Sequence, residues 1–332
     1  MTPKYRAALI GFGNIAYGYE SNTKYCVEFP IPTHFSALNQ IDEIVLDTVV
    51  DPSEEALKIA IKEPSIKHIG KTTSDIPNKE LVDILIITCP PIVNKLELIK
   101  SFPSLKGLVL EKPLGRNLNE IIKIASYVAQ KGIKTQVCYL RRFDEYVISL
   151  LGGKLEKLIG APQSAQIIYG NGLMNNGSHL LDLSRMLFGE FDAVTSALKS
   201  NIVTAVLQDD LNVSCILQTQ SGVNFSVLPI DFEFYRENSL DIWGTKGRLV
   251  FNQEGSYFTS WDVVNSRFGD IYKEINWSDP TNTGKTEIGY SMKKMYQNLV
   301  SSIGSKEEAL SPLSSAMETE KLVQDIFSKI QK

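Results

Sequence analysis

The sequence predicts an α/β domain with a doubly wound parallel sheet over residues 1–142, followed by an α+β domain with a mostly antiparallel sheet over residues 143–332. Three observations carry that prediction. Five short apolar runs in the first part alternate with helix-length segments, the pattern of strands buried on both faces by crossover helices. The first run ends in a glycine-rich turn. Beyond about residue 190, strand-like runs follow one another with short turns between them, as hairpins do. A length of 332 residues also fits two domains of roughly 150 residues each.

The five runs are YRAALIGFG (5–13), EIVLDTVVD (43–51), DILIITCPP (83–91), GLVLEKP (107–113) and KTQVCYL (134–140). A helical pattern covers 53–61, and NLNEIIKIASYVAQKG is an amphipathic helix closed by Gly132. Pro90 and Pro91 stop the third run. Crossovers in such a sheet are right-handed, and ligands bind beyond the carboxyl ends of its strands.

Gly11-Phe12-Gly13-Asn14-Ile15-Ala16 is G-x-G-x-x-A directly after the first strand. Gly11 permits the tight turn, Gly13 lets backbone approach a pyrophosphate, and Ala16 keeps helix and strand close. Asn14 and Ile15 open that helix, where free N–H groups and a partial positive charge favour phosphate. The position after strand one makes this a candidate dinucleotide-binding (Rossmann) turn, although glycine-rich strand ends also serve simple turns. Asp51 ends the second strand. A carboxylate there suits the ribose hydroxyls of NAD and repels the 2′-phosphate of NADP, so NAD is favoured. Asp51 is equally placed to cap the 53–61 helix. The acid usually lies about 20 residues past the glycines, whereas 38 separate Gly13 from Asp51. Residues 17–33, YGYESNTKYCVEFPIPT, read as an insertion before a helix beginning near Thr33. The insertion either shapes a substrate mouth or is a surface loop.

In the second domain EYVISLLGGKLEKLIG is a linking helix and turn, and APQSAQIIYG (161–170) is a strand. FDAVTSAL, LNVSCILQT, VNFSVLPI, SLDIWGT, RLVF and YFTSWDVV are further strands, with hairpin turns at Ser221-Gly222 and Lys246-Gly247. One face of the sheet covers helices and the other is available to a second subunit, which predicts a homodimer or homotetramer. Tyr235, Trp243 and Trp261 read as core or interface residues. Amphipathic helices over about 290–303 and 313–330 close the chain.

A net charge of −4 with scattered lysines and arginines gives no electrostatic basis for nucleic-acid binding. No stretch approaches the ~18 uninterrupted apolar residues of a membrane span, and the first residues lack the apolar segment of a signal peptide. Cys26, Cys89, Cys138 and Cys215 lie far apart without C-x-x-C spacing, so free thiols in a reducing cytoplasm are expected and a metal site is not.

The stretch NNGSHLLDLSRMLFG (175–189) holds one of three histidines. At helical spacing His179 and Asp182 share one side, and Leu180, Leu183 and Leu187 line another. The ring is either packed and satisfied, or it faces a pocket and moves protons, as an imidazole titrating near pH 6.5 can. Asp182 either orients that ring or anchors the helix. Lys112 leaves the fourth run at the carboxyl edge of the sheet. A partly desolvated lysine there shuttles protons, while a solvated one only pairs with Glu111.

GFGNIA, TCPP, LEKPLG, YLRRF and NNGSHLLDL, in this order, resemble the glucose–fructose oxidoreductase and inositol dehydrogenase family, Gfo/Idh/MocA, over nearly the whole chain. E-K-P and G-x-H-x-x-D at this separation are together the most specific part. The resemblance implies NAD or NADP on the first domain, with Thr88 and Pro90 of TCPP and Glu111 and Lys112 of E-K-P beside it. It also implies an open, largely antiparallel second sheet that often mediates oligomer contacts. Relatives oxidise or reduce a hydroxyl carbon of a sugar, cyclitol or nucleotide-linked sugar. Lys112 matches the lysine that hydrogen-bonds the reacting hydroxyl, and His179 matches the general base or proton relay.

Many relatives carry aspartate four residues before the histidine. Asn175 stands there in this chain, and an amide positions by hydrogen bonds but cannot take a proton. Asn94 replaces a frequent histidine, a matter of cofactor-side tuning. Tyr139 and Arg141 of YLRRF are candidate substrate contacts, Arg141 through a carboxylate or diphosphate; Arg142 reads as structural. The expected function is therefore an NAD(H)-dependent oxidoreductase of a small-molecule sugar, cyclitol or sugar nucleotide. The alternatives are a reductase of a non-sugar carbonyl or imine on the same scaffold, and a non-catalytic dinucleotide-binding regulatory protein, for which Asn175 is the chief motive.

Overall fold

The computed structural model describes residues 4–203, 205, 207 and 209–330. In chain order it runs β1 (Tyr5–Ile10), α1 (Thr23–Glu28), α2 (His34–Leu38), β2 (Ile44–Val50), α3 (Glu54–Ala60), β3 (His68–Gly70), β4 (Ile84–Ile87), α4 (Lys95–Lys100), β5 (Gly107–Leu110), α5 (Leu118–Lys131) and β6 (Lys134–Val137). There follow α6 (Glu145–Ser149), α7 (Lys154–Ile159), β7 (Pro162–Tyr169), α8 (Ser178–Phe188), β8 (Phe191–Lys199), β9 (Val213–Thr219) and β10 (Asn224–Pro229). The chain closes through β11 (Ser239–Gly244), β12 (Gly247–Asn252), β13 (Tyr257–Ser266), β14 (Gly269–Ile275), β15 (Asn282–Lys285), α9 (Ser291–Ile303) and α10 (Leu313–Ser328).

The first sheet is parallel, in the order β3-β2-β1-β4-β5-β6. This is the Rossmann order, and its direction reverses between β1 and β4. The strands read as unbroken apolar runs because both faces are covered. Along β1, Ala7 and Leu9 enter one core cluster while Ala8 and Ile10 enter another, and along β4 Ile84 and Ile86 part from Leu85 and Ile87 in the same way. The β3 strand, three residues long, has no counterpart among the five predicted runs.

The insertion has a simple geometry. Ala16 and Tyr17 donate to the Gly13 carbonyl at 3.1 and 2.9 Å, forming one helical turn. The carbonyls of Ile15 and Ala16 then accept from His34 and Phe35 at 3.1 and 3.0 Å, as if the turn continued directly into α2. About fifteen residues are thus spliced into an otherwise ordinary helix, which accounts for the long spacing to Asp51. Thr33 caps α2, with Ser36 completing a reciprocal box.

The chain divides into two compact units, Met1–Phe143 with Gly289–Glu318, and Asp144–Ile288 with Thr319–Lys332. A single cut after residue 142 therefore misplaces α9. Its Met292, Met295, Tyr296 and Leu299, at i, i+3, i+4 and i+7, fill the core beside β1 and β4, so this segment returns to the first unit. The second unit carries a nine-stranded sheet, ordered β14-β13-β12-β11-β7-β10-β9-β8 with β15 on β13. It is mostly antiparallel, with β7 and β10 paired in parallel. Hairpins turn at Gly222 and before Gly247, as the sequence predicts. The polar strands β14 and β15 carry no apolar alternation to announce them.

Tyr235, Trp243 and Trp261 lie outside the core of this unit. Tyr235 is 65% exposed. Trp243, Trp261 and Trp277 surround the Arg248 guanidinium at 5.1, 5.4 and 4.7 Å, and Arg248 pairs with Asp241. Among the described residues no helix is long and apolar enough to cross a membrane.

Candidate active site

Gly11 has φ +93°, and a Cβ on it would lie 2.7 Å from Thr88 Oγ1, so only glycine fits. Thr88 Oγ1 donates to the Gly11 carbonyl at 2.8 Å and ties the ends of β1 and β4 together. Gly13 and Asn14 are exposed, Ile15 is half-buried and Ala16 is buried. A Cβ on Gly13 would meet no atom within 4 Å. The glycine therefore leaves free space above the turn, where a phosphate can approach backbone.

Asp51 closes this cradle. Its Oδ2 accepts from Phe12 N at 2.6 Å and its Oδ1 from Ser53 N at 2.8 Å. The capping role considered for Asp51 belongs to Ser53, whose hydroxyl accepts from Ala56 N at 3.3 Å. The strand end directs Asp51 toward the glycine turn, leaving the next suitable side chain to cap α3. Pro90 is exposed past β4, and Asn94 caps α4 by accepting from Glu97 N at 3.3 Å.

At the end of β5 the E-K-P turn, with a cis Lys112–Pro113 bond, is held from below. The buried Lys95 amine donates to the Pro113 carbonyl at 2.7 Å and the Glu111 carbonyl at 3.3 Å. Lys112 is half-buried. Glu111, 13% exposed, meets His34 Nε2 at 3.1 Å, and His34 Nδ1 lies 2.7 Å from Tyr296 Oη. Burial pushes the Glu111 carboxyl up, but the hydrogen bond and charge of His34, the Lys112 ammonium and the Cys138 thiol outweigh it. The carboxyl is left below its ordinary range.

Tyr139 is corrected by the structure: at 1% exposed it packs in the apolar core of the first unit rather than offering its ring to a ligand. It follows β6 at a tight turn, Tyr139 N donating to the Val137 carbonyl at 2.7 Å, and joins Val137 in the same core cluster. Arg141 and Arg142 are both buried, and Arg142 Nη1 donates to the Leu310 carbonyl at 3.2 Å, a structural role.

In the second unit Asn175 and His179 sit on a π-helical turn, Leu173–Gly177, running into α8. The turn is fixed by two side chains that accept from its backbone amides. Asp210 accepts from Met174 N at 2.9 Å, Asn175 N at 3.0 Å and Leu211 N at 2.8 Å. Asn212 Oδ1 accepts from Gly172 N at 3.0 Å. Such a turn widens the helix locally and is frequent at functional sites. His179 is half-buried on the edge of α8, whereas Leu180, Leu181 and Leu183 are in the core. Asp182 is an anchor: it accepts from Thr319 Oγ1 at 2.9 Å and lies 3.6 Å from Arg185.

The first unit thus gathers Gly11, Gly13, Asp51, Thr88, Glu111 and Lys112 at the carboxyl ends of its strands, and the second presents Asn175 and His179. Sequence reasoning missed His34, Lys95, Tyr296 and Asp210. His34 alone left a signal, as one of three histidines directly after a capping threonine.

Residues 162–250 match the GFO/IDH/MocA C-terminal domain. The chain is 24% identical over 203 residues to scyllo-inositol 2-dehydrogenase (NAD(+)) of Bacillus subtilis, a match spanning 57% of this chain and 55% of that relative, about half its length. Its fold is that of the WlbA dehydrogenase of Bordetella pertussis, solved with NADH and UDP-GlcNAcA, at TM-score 0.75 and 17% identity over 98% of this chain and 95% of that one. It is also that of Gal80p from Saccharomyces cerevisiae, solved as a super-repressor mutant, at TM-score 0.74 and 15% identity over 98% and 96% of the two chains. Residues 162–250 of the second unit thus resemble the family's C-terminal domain, and the first unit carries a parallel sheet in the Rossmann order.

Proposed function

We propose that the protein is an NAD(H)-dependent oxidoreductase that moves a hydride to or from a hydroxyl-bearing carbon of a sugar, cyclitol or sugar nucleotide. The observation that carries this reading is the cradle at the ends of β1 and β2, with open space at Gly13 and the Asp51 carboxylate beside it. A pyrophosphate fits against the exposed amides of Gly13 and Asn14, and ribose hydroxyls fit against Asp51, which disfavours the 2′-phosphate of NADP. Thr88, Pro90 and Glu111 border the same strand ends. The NAD(+)-dependent inositol dehydrogenase and the NADH-bound WlbA support the cofactor and the substrate classes.

Bound NAD supplies the hydride acceptor, or in reduced form the donor. Lys112 donates a hydrogen bond to the substrate oxygen and stabilises the charge that develops there. His179 exchanges the hydroxyl proton, and Asn175 holds the oxygen in line through its amide. Arg141 remains the candidate contact for an anionic substrate group. The same reading includes a homo-oligomer formed through the second sheet and a cytoplasmic setting, in keeping with four free cysteines.

The test is nicotinamide absorbance with NAD against a panel of sugars, cyclitols and sugar nucleotides. Turnover in wild type should fall at least ~100-fold in Lys112→Ala and His179→Ala, with NAD affinity nearly unchanged. A fully active Lys112→Ala would refute the assignment. Asn175, in place of the proton-accepting aspartate of many relatives, favours the second reading, a dinucleotide-binding regulator. That reading predicts NADH binding with no turnover across the panel.

A further inference from the structure

Tyr296 and His34 are buried behind Glu111 in one hydrogen-bonded line, and the roles above leave these two unused. Tyr296 comes from α9, His34 opens α2 directly after the insertion, and Glu111 ends β5 next to Lys112. The His34 ring is fully buried and bonded at both nitrogens. An ionised carboxylate only accepts, so Nε2 donates to Glu111, while Nδ1 is hydrogen-bonded to the Tyr296 hydroxyl.

The other titratable groups facing this line are Cys138, Lys95 and Lys112. Cys138 Sγ lies 3.9 Å from His34 Nε2. Burial and then the Glu111 carboxylate push its thiol well above the usual range, so it stays protonated. The donor atoms of His34, Glu111 and Cys138 lie within 4.8 Å of one another. In this structure His34 Nε2 contacts both Glu111 Oε1 and Cys138 Sγ, so the three form one hydrogen-bonded cluster.

We propose that Tyr296 and His34 are positioning residues for Lys112: they hold the Glu111 carboxylate beside it, and that carboxylate keeps the Lys112 ammonium charged and oriented. The proposal rests on the reading of Lys112 as the lysine at the reacting hydroxyl. Its physical basis is placement: Glu111 and Lys112 are consecutive residues directly after β5, with the Glu111 carboxylate held by His34, and a carboxylate and an ammonium so close each favour the other's charged form.

Competitive acetylation with trace acetic anhydride, read at each lysine by mass spectrometry from about pH 7 to about pH 11, tests this on the intact protein. It needs neither cofactor nor substrate, so failure of the oxidoreductase reading appears in a separate experiment. Glu111→Gln should speed acetylation of Lys112 at pH 8 about threefold or more. Tyr296→Phe and His34→Leu should move it the same way. His34→Gln, whose amide still donates to Glu111, should stay near wild type, and exposed Lys123 should not move. A packing role alone predicts that His34→Leu keeps wild-type reactivity. Unchanged Lys112 in Glu111→Gln overturns the proposal, as does a change there with none in Tyr296→Phe. If His34→Leu does not fold, Tyr296→Phe decides, since it removes only one hydroxyl.

Discussion

At the end of β5, Glu111 and Lys112 are held by side chains that arrive from α2, α4 and α9, through one buried amine and one buried imidazole. In the second unit, Asn175 and His179 ride on a turn held by its own amides, which converge on Asp210. In the first region side chains act on side chains and carbonyls, whereas in the second a single carboxylate gathers backbone amides. A strand end already has its direction from the sheet, so side chains need only trim its electrostatics. A π-helical turn has no such frame, and a slight misfit must displace the residues it carries.

The contrast orders the expected effects. Gly172, at φ +95°, would place a Cβ inside contact distance of the Asp210 carboxylate. Gly172→Ala should cost about 3 kcal/mol in a urea melt, and a loss under about 1 kcal/mol would break the comparison. Asp210→Asn keeps an acceptor but loses the charge that serves three amides. It should cost roughly 2 kcal/mol and lower turnover more than NADH affinity. Ser53→Ala, a plain helix cap beside the cradle, should cost about 1 kcal/mol and leave Asp51 in place.

The smallest effect is a trend with pH. Because the Glu111 carboxyl is held below its ordinary range, its contribution is present above the unfolded value of about 4.3 and is lost as pH falls through the lower folded value. Wild type should therefore melt above Glu111→Gln at neutral pH, with the gap closing in acid. A gap that stays constant would assign Glu111 to packing.

The same division explains what the sequence discloses. The runs behind β1, β2, β4, β5 and β6 are visible because a doubly covered strand must be apolar throughout, and the three-residue β3 is too short for that rule. Gly11, Asp51, Lys112 and His179 are legible because their placement is local, at a strand end or on a helix face. Lys95, Tyr296 and Asp210 are not, since each acts on residues far away in sequence. Tyr296 meets His34 across 262 positions, and no local pattern records such a contact. Tyr139 shows the converse, a motif residue just past a strand end whose ring lies in the core. The return of α9 to the first unit is likewise a long-range choice, although its apolar stripe is plain in the sequence.

The central claim is that the space over Gly13 holds a dinucleotide, and calorimetric titration of NADH into wild type and Gly13→Ala tests it most directly. The added Cβ meets no protein atom within 4 Å, so the variant should melt at or slightly above the wild-type temperature. Its NADH affinity should nevertheless fall about tenfold or more, a loss of ~1.4 kcal/mol or greater. Equal affinity in the two proteins would place the cofactor elsewhere and contradict the account.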